Sequence, residues 1–166
     1  DEYFGRFGDE RAQSFDLVFI DGLHTFEQTA RDLLNVLQCT HRHSIILIDD
    51  TVPVDIYSAE RSSARARLLR AHAGLDKAAW HGDVYKVVFF IHDFLPGLSY
   101  ATIDRPGNPQ TVVWRKFRPD FKPLFDDMER ISRLSFGDLH EHAQILRLSD
   151  EENVQRQLAR AFAPFA

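Results

Sequence analysis

The chain has 166 residues, of which 44% are hydrophobic, and it carries a formal net charge of −5 at pH 7. One domain of this size and composition can fill a core, which excludes a chain that is disordered throughout. The acidic balance disfavours nucleic acid as the main partner, and no apolar run is long enough to span a membrane. A single cysteine, Cys39, excludes an internal disulfide framework and favours a reducing, cytoplasmic compartment.

The first part of the chain has the pattern of a strand, a helix and a second strand. Residues 15–20 and 45–48 are short apolar runs that end in acid, which is typical of strands buried on both faces of a parallel sheet. Between them, apolar side chains recur at helical spacing after Thr25 or His24 as a helix cap, and residues 40–44 form a polar break. This βαβ pattern predicts two parallel strands with a right-handed crossover.

The next part predicts two further helices and a hairpin. Residues 59–73 indicate an arginine-rich helix, and Asp83 can cap a third helix over residues 84–94. Residues 98–103 and 110–115 alternate in polarity around a turn that contains proline and glycine, which predicts an antiparallel hairpin.

The end of the chain is expected to be helical, unlike the α/β part before it. Residues 121–134 and 151–165 are expected to be helical, after a proline-marked change in composition. We therefore expect an α/β unit over residues 1–118 and a helical tail over residues 119–166.

Both predicted parallel strands end in carboxylates, which are Asp21 after the first and Asp49 and Asp50 after the second. Ligands of open parallel sheets bind beyond the carboxyl ends of the strands, so neighbouring strands would bring these acids together. A hard divalent cation such as magnesium would relieve their repulsion. The alternative is that one acid caps a helix, one faces water and one accepts a backbone hydrogen bond.

His24 lies three residues after Asp21, at the start of the predicted helix and therefore at the same carboxyl end of the predicted sheet. Histidine as a residue type accepts protons near neutral pH, which makes His24 a candidate general base. The alternative is a helix-start histidine that bonds only to the backbone. None of the other seven histidines has a spacing that indicates zinc.

Two segments, FDLVFIDGLH at residues 15–24 and IILIDDT at residues 45–51, resemble strands four and five of a Rossmann-like, class I S-adenosylmethionine-dependent methyltransferase. They are similar in particular to metal-dependent O-methyltransferases of the catechol and sugar-modifying types. The segment WHGDVYK at residues 80–86 is similar to one that precedes the next helix in bacterial relatives. The resemblance covers roughly residues 15–116.

The resemblance implies an α/β methyltransferase fold, represented by its carboxy-terminal half. It implies that Asp21, Asp49 and Asp50 hold a divalent cation, with magnesium expected, and that His24 and Asp21 are catalytic. The implied reaction transfers a methyl group from S-adenosylmethionine to a hydroxyl of a small acceptor, such as a sugar, a phenol or another natural product. Residues 61–83 are expected to cover the mouth through which the acceptor enters.

The same resemblance implies that Asp21, Gly22 and Leu23 contact S-adenosylmethionine. The glycine-rich loop of the cofactor site is missing, because none of the eight glycines forms a G-x-G-x-x-G pattern. We therefore expect either a missing amino-terminal half or a homo-oligomer to cover the apolar edge of residues 15–20. The chain by itself is expected to be inactive.

Two other functions compete with methyl transfer. A phosphatase of the haloacid dehalogenase type also combines Asp-Gly with a later Asp-Asp, but Phe19 occupies the position of its aspartate nucleophile. A truncated, non-catalytic Rossmann-like interaction module would explain the missing loop. The set of four converging polar residues argues against such a module; these are Asp21, His24, Asp49 and Asp50.

Overall fold

The computed structural model describes residues 14–75, 79–106 and 108–163. The strands of this part are β1 (Phe15–Ile20), β2 (Thr40–Ile48), β3 (Leu98–Ile103), β4 (Gln110–Arg115) and β5 (Leu148–Ser149). The α-helices are α1 (Phe26–Gln38), α2 (Ser63–His72), α3 (Lys86–Phe94), α4 (Met128–Ser132), α5 (Phe136–Glu141) and α6 (Glu151–Phe162), and a 3-10 helix (Ala143–Leu146) precedes β5. None of the described helices is long and apolar enough to cross a membrane.

The strands form one mixed sheet in the order β1-β2-β4-β3-β5. β1 and β2 are parallel, whereas β4 runs antiparallel to both β2 and β3. The predicted βαβ unit, the predicted hairpin and the α/β, Rossmann-like architecture are therefore confirmed. Because β4 is antiparallel to β2, the start of β4 lies beside the end of β2. Asp49 and Asp50 directly follow this end of β2.

β1 is an edge strand within the described part of the chain, and its burial differs from the prediction. Leu17 and Phe19 are 60% and 51% exposed, whereas Ile20 is buried. The expectation of a strand buried on both faces was wrong for β1, because the face that Leu17 and Phe19 share is left largely uncovered by the described residues.

β2 is longer than its apolar run indicated, since it begins at Thr40 rather than Ile45. The predicted polar break is therefore wrong. The polar side chains of this stretch are bonded to β1: the Ser44 hydroxyl donates to the Phe15 carbonyl at 2.6 Å, and the His41 ring lies 2.8 Å from the Asp16 carboxylate. These contacts extend the strand pair beyond its hydrophobic section.

The helix starts also depart from the predicted capping. Thr25 precedes α1 but makes no capping hydrogen bond with its side chain; the Asp83 carboxylate instead accepts from the backbone N–H of Phe26 at 2.9 Å. Asp83 therefore caps the first helix rather than the third, and α3 begins only at Lys86. α2 is shorter than predicted, because a turn in which Ser58 bonds to Asp55 occupies the residues before it.

Asp93, at the end of α3, organises the start of the tail. Its buried carboxylate accepts from the backbone N–H groups of Leu124, Phe125 and Asp126 at 2.9, 2.8 and 3.1 Å. The helix predicted over residues 121–134 is therefore reduced to α4, because these amides bond to Asp93 instead of to a helical turn.

The core lies on both faces of the sheet. On one face, α1 and α3 pack with the largest group of buried side chains, which includes the fully buried Phe89 and Tyr100. On the other face, Val154 of α6 packs against Val112 and Trp114 of β4. These two layers hold the end of β2 in place beneath the acids that follow it.

Candidate active site

The parallel pairing of β1 and β2 brings their carboxyl ends to one edge of the sheet. Asp21 follows β1, Asp50 follows β2, and His24 begins the turn into α1. One possible ligand atom of each of these three residues lies within 4.8 Å of the others. Of the four polar residues that were predicted to converge, the structure therefore brings three together in this group, without Asp49.

Oxygen atoms lie near both nitrogens of the His24 ring. Its Nδ1 lies 2.9 Å from the Trp80 carbonyl oxygen and 3.1 Å from Asp50 Oδ2, and its Nε2 lies 3.4 Å from Asp21 Oδ1. Because a carbonyl oxygen only accepts, the contact with Trp80 assigns the hydrogen to Nδ1. In the neutral ring Nε2 then carries the lone pair, so Nε2 is the atom that can take a proton.

The segment that contains Trp80 and Gly82 lies directly against His24. The Trp80 indole stacks on the imidazole with 4.6 Å between centroids and 20° between planes. Gly82 has φ +61°, and a Cβ at this position would lie 1.7 Å from the His24 carbonyl oxygen. Only glycine permits this approach, since it adopts a positive φ and lacks a side chain. The segment is anchored by the Ser58 carbonyl, which accepts from Gly82 at 3.0 Å.

A charged network ties the same segment to the start of α1. Asp83 Oδ2 accepts from Arg61 at 2.8 Å and from Lys86 at 3.0 Å, and Arg61 forms two hydrogen bonds with Glu27. The hydrogen bonds from Arg61 lower the pKa of the Glu27 carboxyl. Trp80 and Asp83 thus lie on the same side of the sheet as Asp21, as expected for residues 61–83. Whether they contact an acceptor stays a prediction.

Asp50 combines an unusual backbone with a buried carboxylate. Its φ is +59°, a left-handed conformation that aspartate tolerates better than most residues, and it is 7% exposed. Burial raises the pKa of Asp50 to about 6, against the opposing charge of His24 and with further increases from Asp49 and Asp21. The site therefore places a costly negative charge beside His24, where a cation or an imidazolium would stabilise it.

Asp49 lies outside the group formed by Asp21, His24 and Asp50. Its Oδ1 accepts from Asn108 Nδ2 at 2.6 Å, from Gln110 Nε2 at 3.3 Å and from the backbone N–H of Asp50 at 3.0 Å. Its metal-binding role stays a prediction. Asn108 and Gln110 were not predicted from the sequence, because only the register of β4 against β2 brings them to this carboxylate.

His81 is a second histidine close to Asp50, and the sequence pattern did not indicate it as a site residue. It is 6% exposed, its Nε2 lies 3.9 Å from Asp50 Oδ1, and its Nδ1 has no hydrogen-bond partner in the part of the chain that the structure describes. Burial lowers the pKa of the His81 ring, and the nearby His24 adds to this effect. Both effects disfavour the charged form of the His81 ring.

Gly22 and Leu23, which were predicted to contact the cofactor, lie in the turn between β1 and α1. A cavity of about 500 Å³ runs along β1 and reaches Asp21 and Gly22, whereas Leu23 is 58% exposed. A Cβ added to Gly22 would lie 3.2 Å from an Asp32 oxygen. The cofactor roles of Asp21, Gly22 and Leu23 stay predictions.

Residues 1–51 match a protein-family model described as a methyltransferase domain. The predicted resemblance to methyltransferases is thus confirmed over these residues. A solved structure described as a "putative O-methyltransferase" from Klebsiella pneumoniae shares 17% sequence identity, with a TM-score of 0.39, over 70% of this chain and 47% of that chain. The chain thus spans about half the length of that protein. A search of curated proteins found no match.

Proposed function

We propose that the protein transfers a methyl group from S-adenosylmethionine to a hydroxyl of a small acceptor, with the help of a divalent cation. The observation that carries this proposal is the orientation of His24, which Trp80 and Asp50 hold through Nδ1 so that the lone pair of Nε2 faces Asp21. The match of residues 1–51 to a methyltransferase domain supports the choice of reaction. We propose a sugar, a phenol or a related natural product as acceptor.

The residues present fit a divalent cation. Asp21 and Asp50 each offer a carboxylate oxygen within 4.8 Å of the other, which is compatible with two ligands at about 2.0–2.4 Å from one ion. The buried Asp50 carboxylate, close to two other acids, is the kind of charge that such an ion stabilises. A bound cation, magnesium in our proposal, would lower the pKa of the acceptor hydroxyl. Asp49 is proposed as a further ligand.

His24 would act as the general base. Its Nε2 accepts the hydroxyl proton as the acceptor oxygen forms a bond to the methyl carbon and the bond from that carbon to the sulfonium sulfur breaks. The Asp50 carboxylate, 3.1 Å from Nδ1, stabilises the imidazolium that results. Trp80 prevents rotation of the ring through its carbonyl and its indole. The gain in rate then comes from proton transfer and from positioning.

The proposed reaction is tested with the full-length protein, labelled S-adenosylmethionine and a panel of sugars and phenols, with magnesium or with a chelator. We expect transfer that requires the cation and that falls by about 100-fold or more in His24→Ala. The matched control is His43→Ala, because His43 is an exposed histidine near the opposite end of β2. Binding of S-adenosylmethionine without transfer to any acceptor would contradict the proposal and favour a non-catalytic module.

A further inference from the structure

A second cavity lies at the end of β4 that is opposite to the acidic site. β4 begins at Gln110, which bonds to Asp49, and it ends at Arg115, which bonds to Thr40 at the start of β2. The cavity beside this end has a volume of about 260 Å³. Its lining includes four cationic side chains and one tryptophan, which are Trp114, Lys116, Arg118, Arg147 and Arg160. The cavity is therefore separate from the site around His24.

The lining of this cavity is positively charged, although the chain as a whole has a net charge of −5. Against the four cations, the described lining residues include one carboxylate, that of the exposed Asp120. The ion pairs that arginine and lysine form in the described part of the chain involve other residues. Because cations that share a small space repel one another, a bound anion would stabilise this arrangement.

Two of the four cations pack on the same aromatic ring. The Cζ atoms of Arg147 and Arg118 lie 4.9 and 5.4 Å from the centroid of the Tyr100 ring. Arg118 is 4% exposed, and its guanidinium donates to four backbone carbonyl groups. Burial lowers the pKa of the Arg118 guanidinium, and the charge of Arg147 contributes to the decrease. The carbonyl groups satisfy the donors of Arg118 but leave its positive charge without a counterion, which is costly in a buried position.

The indole of Trp114 provides a hydrogen-bond donor without an acceptor. Trp114 is 3% exposed, and its Nε1–H is buried with no hydrogen-bond partner among the residues that the structure describes. Buried donors of this kind are rare in native structures. Because an indole N–H only donates, the missing partner has to be an acceptor. The Tyr100 hydroxyl does not take this role, since it donates to the Ile145 carbonyl at 2.9 Å.

We propose that this cavity binds a phosphate group, whose oxygens accept hydrogen bonds from Trp114 Nε1 and Arg147 and whose charge neutralises Arg118. A phosphate offers three or more strong acceptor oxygens, and arginine is the cation that matches its geometry best. The cavity is smaller than the roughly 300–1,000 Å³ of pockets that enclose drug-sized ligands, which favours a single anionic group. The exposed Lys116 and Arg160 raise the local concentration of anions.

The test measures binding of inorganic phosphate by isothermal titration calorimetry, which requires no methyl acceptor and no turnover. We expect the wild type to bind phosphate with a Kd of about 1 mM or below. Trp114→Phe keeps an aromatic ring but removes the N–H, and it should weaken binding by about 10-fold. Trp80→Phe, the same substitution at the other tryptophan of the chain, is the matched control and should bind phosphate as the wild type does. This control variant retains Trp114, so its fluorescence emission should change with phosphate and saturate at the same Kd.

A second pair of variants tests the charge, and it decides the matter alone if Trp114→Phe does not fold. Arg147→Gln should weaken phosphate binding by about 10-fold or more, whereas Arg156→Gln should not, because Arg156 pairs with Glu152 outside the cavity. Tighter binding of glycerol 3-phosphate than of inorganic phosphate would support the site and identify a phosphomonoester as its ligand; equal affinities would support it with free phosphate. Unchanged affinity in Arg147→Gln or in folded Trp114→Phe, acetate binding as tight as that of phosphate, or no saturation by about 10 mM phosphate would overturn the inference.

Discussion

The Trp80 carbonyl oxygen lies 2.9 Å from Nδ1 of His24, and the indole of the same residue stacks on the imidazole at 4.6 Å. The two residues are 56 positions apart in the chain. One residue thus controls both the position of the ring hydrogen and the plane of the ring. His24 is consequently held in one orientation by a segment that belongs to neither β1 nor α1.

This relationship predicts different effects for two substitutions of Trp80. Trp80→Leu keeps the carbonyl but removes the stacking, which is worth about 0.5–1.5 kcal/mol for an aromatic pair, so kcat should fall about 2–12-fold. Trp80→Phe keeps an aromatic ring and should retain most of the activity. Steady-state measurement of kcat and KM is the test, and equal losses in both variants would show that stacking is not the cause.

Gly82→Ala should be strongly destabilising. The added Cβ would lie 1.7 Å from the His24 carbonyl oxygen, at a position with φ +61°. The clash and the left-handed backbone together should reduce the free energy of unfolding by about 2–5 kcal/mol. Gly74→Ala is the matched control, since Gly74 has φ +70° and nothing within 4 Å of the added atom. It should cost only about 1–2 kcal/mol in chemical denaturation.

Asp50 should make the cation-free protein less stable as the pH rises. Burial raises the pKa of Asp50 in the folded protein to about 6, above its ordinary value of 3.8, so between these values the folded state binds more protons than the unfolded state. Stability therefore falls from about pH 4 to about pH 6. The Asp50→Asn variant should not show this loss of stability. At pH 8 with chelator present it should be about 1–3 kcal/mol more stable than the wild type. The same pH profile in both proteins would contradict this assignment.

The contribution of Asp93 to the stability of the fold should depend on pH in the opposite direction. Burial raises the pKa of its carboxyl, but hydrogen bonds from His92 and from three backbone amides outweigh burial and lower it overall. The stabilisation is thus present above the pKa of the unfolded state and is lost as the pH falls through the folded value. Asp93→Asn should cost about 2–4 kcal/mol at pH 7 and less in acid. Asp120→Asn, an exposed position in the same segment, should change stability little.

Local patterns in the chain were sufficient to predict much of the sheet and part of the site. The hairpin strands lie at residues 98–103 and 110–115, as their alternation indicated. Asp21 and Asp50 converge because parallel neighbours present their carboxyl ends at one edge. His24 follows Asp21 by three residues and stays near it in any compact turn. These features depend on contacts that are local, or on a pairing rule that holds for every βαβ unit.

Only the tertiary structure decided which residues orient the site. The β4 register brings Asn108 to Asp49, the close approach of Gly82 brings Trp80 onto His24, and Asp83 caps a helix that starts 57 positions before it. Periodicity carries no information about such distant pairs, because each depends on how separate elements pack. For the same reason, the apolar composition of β1 could not show that Leu17 and Phe19 would be exposed, because the burial of a strand face depends on which elements pack over it.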